Sequence, residues 1–217
     1  FNADDIIDAL LSDCPFDLYW FDKTPDGGLA TKYGYYFMTN SKGQNVGAEI
    51  SYLKFYFYVC SGYRSGNTTT VTKNVAKIST VKANALAVVE ENQNKSVYEK
   101  LVAYRDYICQ EVDYNHTAAS PSYNGGYGDP WQLIYVFDGN SGTTVVCEGY
   151  SKAFQYLCDL SGFEDGTVCY SVSGDMGDEG HMWNIVTLDG ANYLVDVTNS
   201  DAGTIGSAGT LFMAKAA

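Results

Sequence analysis

From Gly180 to Thr198 the chain reads as a β-hairpin turning on Asp189-Gly190, and just upstream Tyr150, Phe154, Leu157 and Cys158 recur three and four residues apart. A run of helical period followed by a run of two-residue period restricts this half of the chain to one solution, an amphipathic helix packed on an antiparallel sheet. The helix opens at Cys147 and is expected to end near Ser161-Gly162. The hairpin is expected to run His181 to Leu188 and back over Ala191 to Thr198. If Leu188 pairs with Ala191, Trp183 lies opposite Asp196 and His181 opposite Thr198. The alternation of side chains then puts His181 and Asp196 on one face as diagonal neighbours. An odd loop length would put them on opposite faces.

Cys147 falls in the first turn of its helix, where unpaired backbone N–H groups and the helix dipole favour an anion and leave a donor beside any developing oxyanion. Each of the three residues has a plainer reading: a small core cysteine, a satisfied strand histidine, a capping or turn aspartate. Together they supply a thiol, an imidazole and a carboxylate in that order. Covalent acyl chemistry needs that set: a nucleophile, a base that takes and returns its proton, and an anion that orients the base.

Composition excludes several other functions. Against 13 basic residues stand 26 acidic ones, and a net charge of −13 repels nucleic acid and anionic membrane surfaces. No run approaches the roughly 18 apolar residues of a membrane span, so membrane insertion is not expected. Partners are therefore sought among proteins, peptides and glycans. Nineteen tyrosines and stretches such as Ser65-Gly66-Asn67-Thr68-Thr69-Thr70 are in keeping with exported bacterial proteins, which places the chain outside the cell or at the cell surface. The six cysteines contain no CxxC pair, so no metal site is expected; most read as buried thiols, with room for one or two disulfides.

An apolar content of 46% over 217 residues supports one sizeable core. Residues 1–84 read as a helix and strand region integral to the same domain as the catalytic core, 85–217. Within the first part, a helix is expected over Ala3 to Leu11. Strands are expected over Tyr33 to Thr39, over Glu49 to Cys60, where Leu53, Phe55, Phe57 and Val59 alternate with tyrosines and a lysine, and near Val71 to Ile78. Ser96 and Glu99 form a capping-box pattern ahead of the stripe Val97, Leu101, Tyr104, Ile108 and Val112, predicting a helix to about Val112. The Asn/Ser/Pro/Gly-rich stretch from Tyr114 to Pro130 reads as a long loop.

Val146-Cys147-Glu148-Gly149-Tyr150-Ser151-Lys152-Ala153-Phe154, Gly180-His181-Met182-Trp183-Asn184 and Asp196-Val197-Thr198 resemble the three ordered motifs of the transglutaminase-like superfamily of papain-type cysteine acyl-transferases and peptidases. The resemblance spans about Val97 to Asp201, and Asp4 to Trp20 is similar to the leader segment of secreted bacterial members. It implies an α+β papain-like fold, Cys147 as nucleophile, His181 as general base and acid, and Asp196 as the orienting carboxylate. Two positions depart from the pattern: Met182 stands where a small residue is usual and Asn199 where tryptophan is common, and both bear on the cleft rather than the triad. Members also bring an upstream side chain to the oxyanion, and here Trp131 N–H or the Gln132 amide is the nearest candidate, beside the plainer readings of packing anchor and solvated glutamine. Tyr150 and Trp183 complete the cleft candidates, with core packing an equal reading of Tyr150.

The implied reaction is acyl transfer from a glutamine side chain or peptide carbonyl through a thioester, with no cofactor required. A cysteine peptidase or cell-wall peptide hydrolase on the same triad is the nearest alternative, and an inactive surface binding module the more distant one. The acidic stretch Asp175 to Gly180 lacks the alternation of an EF-hand and reads as a solvated loop. His116 is a surface residue or, less simply, an alternative base. The tyrosine face of Tyr52, Tyr56 and Tyr58 is expected to be covered by another element, with glycan or peptide binding as the second reading.

Overall fold

Ile7 and Leu11, one turn apart and both buried, make Ala3–Asp13 an amphipathic helix, α1, that ends just before Pro15. The computed structural model describes residues 3–21, 29–64, 71, 77–120, 130–201 and 211–215. These divide into two compact units, one of Phe1–Ile6 with Trp20–Asn74 and one of Ile7–Tyr19 with Val75–Ala217.

The first unit is built on a long antiparallel ribbon, β1 (Leu29–Thr39) and β2 (Asn45–Phe57). Asn40 closes its tip by accepting the N–H groups of Lys42 and Gln44 on its side-chain oxygen, at 2.9 and 3.0 Å. The alternation read from sequence holds: Leu53, Phe55 and Phe57 are half-buried, and Phe57 meets Phe21 edge-on with ring centroids 5.1 Å apart. Cover was expected on the other face, but among the described residues Tyr52, Tyr56 and Tyr58 are exposed.

The second unit holds the core. Helix α2 (Lys77–Glu91) occupies a stretch whose start was expected to be strand; Lys77 and Ile78 are helical, and residues 72–76 lie outside the described set. Buried Val81, Ala85, Val88 and Val89 follow the helical period, which here overrides the strand preference of threonine and valine. Helix α3 (Val97–Glu111) begins with the full capping box: Glu99 N–H reaches Ser96 Oγ and the Glu99 carboxylate takes Ser96 N–H at 3.0 Å. A two-residue strand β3 (Asp113–Tyr114), helix α4 (Pro130–Val136) and strand β4 (Thr144–Val145) follow, with β3 and β4 parallel and Tyr114 beside Val145.

Helix α5 (Cys147–Ser161) packs on a four-stranded antiparallel sheet in the order β5 (Val168–Met176), β6 (Glu179–Leu188), β7 (Ala191–Val195), β8 (Phe212–Lys215). The fold is therefore α+β, with the expected helix-on-sheet layer. Every residue from Cys147 to Gln155 is buried, so the helix is a core element on all sides and its polar groups must be matched internally. They are: Ser151 O–H donates to Met182 O at 2.8 Å, Lys152 pairs with Glu148, and Ser171 N–H donates to Gln155 Oε1 at 2.8 Å. Gly162, at φ 53°, closes the helix in the left-handed conformation where glycine carries no Cβ penalty.

The β6–β7 pairing begins Leu188↔Ala191 as expected, but β7 stops at Val195. Asp196 instead caps a short helical turn, α6 (Val197–Ser200), so Thr198 is not opposite His181. The expected loop from Asp175 to Gly180 is mostly strand: β5 and β6 form a hairpin closed by Met176↔Glu179 around Gly177-Asp178.

Candidate active site

The N-cap of α5 is Val146, an apolar residue that offers its helix no side-chain hydrogen bond. A serine or aspartate there would satisfy one of the orphan N–H groups; valine leaves them for something else. The Val146 N–H donates to Gln132 Oε1 at 2.9 Å, which ties α4 to the residue before Cys147. Gly149 makes this approach feasible. A Cβ at that position would sit 2.6 Å from Val145 Cβ and 2.9 Å from the Gln132 carbonyl oxygen, so only glycine lets α4 and β4 press against the first turn of α5.

His181 on β6 and Asp196 after β7 are both buried, and His181 Nε2 lies 2.9 Å from Asp196 Oδ2. Asp196 is held at three further points, two on its carboxylate and one on its backbone. Its Oδ1 accepts Asn199 N–H at 3.0 Å as the cap of α6, its Oδ2 also accepts Asn199 Nδ2 at 2.6 Å, and its backbone carbonyl accepts Ser200 O–H at 2.7 Å. Burial pushes the Asp196 carboxyl up, but the hydrogen bonds from His181 and Asn199 outweigh it and the pKa is lowered. For His181, burial pulls the imidazolium down, yet hydrogen bonds to Asp196 and to Cys147, with the negative charge on both, raise it to about 9. With Nε2 given to Asp196, Nδ1 is the ring nitrogen left for Cys147.

Of the two walls of the site, Tyr114 was not read from sequence, while Trp183 was among the expected cleft residues. Tyr114 on β3 lies near Cys147 and Glu179: burial first, then the negative charge of those two groups, pushes its hydroxyl up to about 12, which keeps it an O–H donor. Its ring stacks on Tyr150 at 6.4 Å and meets His116 edge-on at 5.2 Å. Trp183 stacks on His181 with ring centroids 5.9 Å apart and planes 24° apart. The indole lies over Gly174, where an added Cβ would come 2.5 Å from its Cη2, so the missing side chain at 174 gives Trp183 its seat.

The remaining candidates separate. Trp131 donates its indole N–H to Tyr19 O at 3.1 Å and packs between Tyr19 and Tyr135, so it is a packing anchor whose donor is already engaged. Gln132 keeps its place beside the nucleophile, its carbonyl fixed by Val146 and its NH2 group without an acceptor among the described residues. Tyr150 is fully buried and donates to Asp201 Oδ2 at 2.8 Å, with Val112 O at 3.3 Å, so core packing is the reading realised. His116 is exposed and packs edge-on against Tyr114, and it makes no hydrogen bond to His181 or Asp196 among the described residues. Met182 points its departure inward, as a buried side chain whose carbonyl anchors Ser151. Asn199, the other departure, orients Asp196 directly. Among the described residues no three His, Cys, Asp or Glu side chains converge as metal ligands, and no helix is long and apolar enough to cross a membrane.

A cysteine at a helix start, near an imidazole on an antiparallel sheet that a carboxylate holds from behind, is the arrangement of papain-type proteins. Residues 83–196, more than half of the chain, match the transglutaminase-like superfamily, and the chain belongs to that family. The match includes Gln132, Cys147, His181 and Asp196. A solved structure of a candidate cysteine protease from Cytophaga hutchinsonii is similar at 14% identity and a TM-score of 0.38, over 79% of this chain and 64% of that one. The chain thus spans under two thirds of that protein's length. No curated protein matches it.

Proposed function

We propose that the protein is a cysteine acyl-transferase or amide hydrolase acting on protein or peptide substrates, with Cys147 as nucleophile, His181 as acid and base, and Asp196 as the orienting carboxylate. One observation carries the reading: His181, held by Asp196 at 2.9 Å, lies near enough to Cys147, at the uncapped start of α5, for the thiol to raise its pKa. With its pKa near 9, His181 is an imidazolium at neutral pH, the electrostatic partner a thiolate needs. The thiolate attacks the carbonyl carbon of a glutamine side chain or peptide bond. The Cys147 N–H, which has no intrahelical acceptor, and the Gln132 NH2 receive the oxyanion. His181 passes its Nδ1 proton to the departing amine, the C–N bond breaks and a thioester remains. Neutral His181 then takes a proton from an incoming amine or water, which attacks the thioester and releases Cys147. The face of Trp183 and the hydroxyl of Tyr114 flank this path and would contact the acyl chain and its leaving group.

Intact mass after incubation with a glutamine-containing protein and a biotinylated primary amine tests this, with Cys147→Ala alongside. Amine incorporation lost in the variant identifies a transferase, and substrate cleavage lost in the variant identifies a peptidase. Silence in both, with no labelling of Cys147 by iodoacetamide at mildly acidic pH, overturns the reading in favour of a binding module.

A further inference from the structure

Two thiols that the proposed chemistry does not use lie against each other in the core. Cys158 is on α5 and Cys169 on β5; both are free thiols, buried, with 3% and 4% of their surface exposed. Their meeting follows from how helix and strand are bolted together. Asn184 Nδ2 donates to Ser151 O at 2.9 Å and to Ser171 Oγ at 3.2 Å, and one turn further along the helix Gln155 Oε1 accepts Ser171 N–H at 2.8 Å. As α5 advances β5 recedes, so the next rung sets the residue three beyond Gln155 against the one two before Ser171 on the same strand face. Those residues are Cys158 and Cys169, both buried, and the two thiols lie close enough for Cys169 to act on the Cys158 thiol. Cys147 is on the same helix but eleven residues back, roughly 16 Å along its axis, so it cannot compete for either sulfur.

We propose that Cys158 and Cys169 form a disulfide that fastens the nucleophile helix to the sheet carrying His181. The two thiols lose two protons and two electrons to a low-molecular-weight disulfide, as in exchange with oxidised glutathione: one S–S bond forms in the protein, one breaks in the oxidant, and two glutathione thiols leave. The bond forms during folding, before the core closes. In the folded chain, burial and the neighbouring Cys169 hold the Cys158 thiol well above the usual range, which suppresses the thiolate that exchange requires. Burial equally shields the finished bond from reductant. Both ends are anchored in rigid elements packed on each other, so the crosslink constrains the unfolded chain more than it changes the folded one.

The test uses the full chain. Denatured, reduced protein is refolded either with a mixture of reduced and oxidised glutathione or with reductant alone, then denatured and alkylated with N-ethylmaleimide. The six cysteines should take six maleimides after reducing refolding and two fewer after oxidative refolding. Trypsin leaves both residues on one peptide, so cleavage after Glu164, which lies between them, is the informative digest. The Cys158 and Cys169 fragments should then travel as one mass until reduced. The crosslinked form should melt at a higher temperature and keep the bond in dithiothreitol until it is unfolded. Cys158→Ser and Cys169→Ser should each abolish the joined fragments. Six maleimides on soluble, oxidatively refolded protein would overturn the proposal, as would either sulfur mapped to a different cysteine. Neither readout depends on activity, so the crosslink can fail without touching the acyl-transfer reading.

Discussion

Replacing Asp196 by asparagine isolates the charge that holds His181. Asparagine caps helices about as well as aspartate and keeps an oxygen for the Asn199 N–H, so α6 should survive. The imidazole loses its anionic partner. His181 stands at about 9 against an ordinary 6.5, although burial works in the opposite direction, so the contributions that raise it together exceed the net rise. Two neighbours supply them, Asp196 and Cys147, and Asp196 is the larger in both its hydrogen bond and its charge. Its removal should take at least half of the rise, bringing the His181 pKa down by about one pH unit or more, or about 1.4 kcal/mol for each unit. Proton NMR can read this directly, because the chain has two histidines and His116→Gln leaves one. The alkaline limb of kcat/KM should move down by the same amount. A His181 pKa that stays near 9 in a folded Asp196→Asn protein would show that the carboxylate does not set the imidazolium, and the electrostatic reasoning would fail.

The same pair gives a pH dependence of stability. His181 is raised, so its contribution is complete below about pH 6.5 and disappears as pH climbs through 9; Asp196 is lowered, so its contribution is present above about pH 3.8 and is lost below that. Melting temperature should therefore fall from pH 6.5 to 9 more steeply in the wild type than in His181→Gln. Gly149→Ala, although it improves helix propensity by about 1 kcal/mol, forces a methyl into contacts of 2.6 and 2.9 Å and should cost a net 1–3 kcal/mol or so by urea unfolding. Gly174→Ala meets only the movable edge of the Trp183 ring. It should leave urea stability nearly unchanged while displacing the indole from His181, seen as altered tryptophan fluorescence and a changed KM. Tyr150→Phe should lower stability by about 1–3 kcal/mol, because it strips a donor from the buried carboxylate of Asp201.

Much of the site was legible because its residues sit at positions with strong local signals. Cys147 starts an amphipathic run, and the β6–β7 register around the Asp189-Gly190 turn followed from counting, although Asp196 reaches His181 as a helix cap just past the strand end. Gly162 marked the end of α5 correctly. Pro130, just inside a helix start, was a usable signal for α4 that the Gly- and Asn-rich surroundings obscured. The Val168, Tyr170, Val172 alternation was likewise a usable signal for β5, whose last two residues, Asp175 and Met176, fell in the acidic stretch expected to be a loop. Helix α2 was masked by β-branched residues whose preference yields once they can bury against α3 and α5.

By itself the sequence determined the fold class, the family motifs and the order in which thiol, imidazole and carboxylate arrive, because periodicity and turn chemistry act over a few residues. Tertiary structure alone decided which donors remain available at the nucleophile. Trp131 and Gln132 are neighbours with equal claims in the sequence, and the fold gives the indole N–H to Tyr19 O while turning the glutamine carbonyl to Val146. It also converted Asp196 from a strand residue into a helix cap, placed Trp183 over Gly174, brought Tyr114 beside Cys147 and set Cys158 against Cys169. Those outcomes depend on contacts between elements distant in the chain, where the competition for a single acceptor or a single cavity is settled by packing and leaves no mark on local residue order.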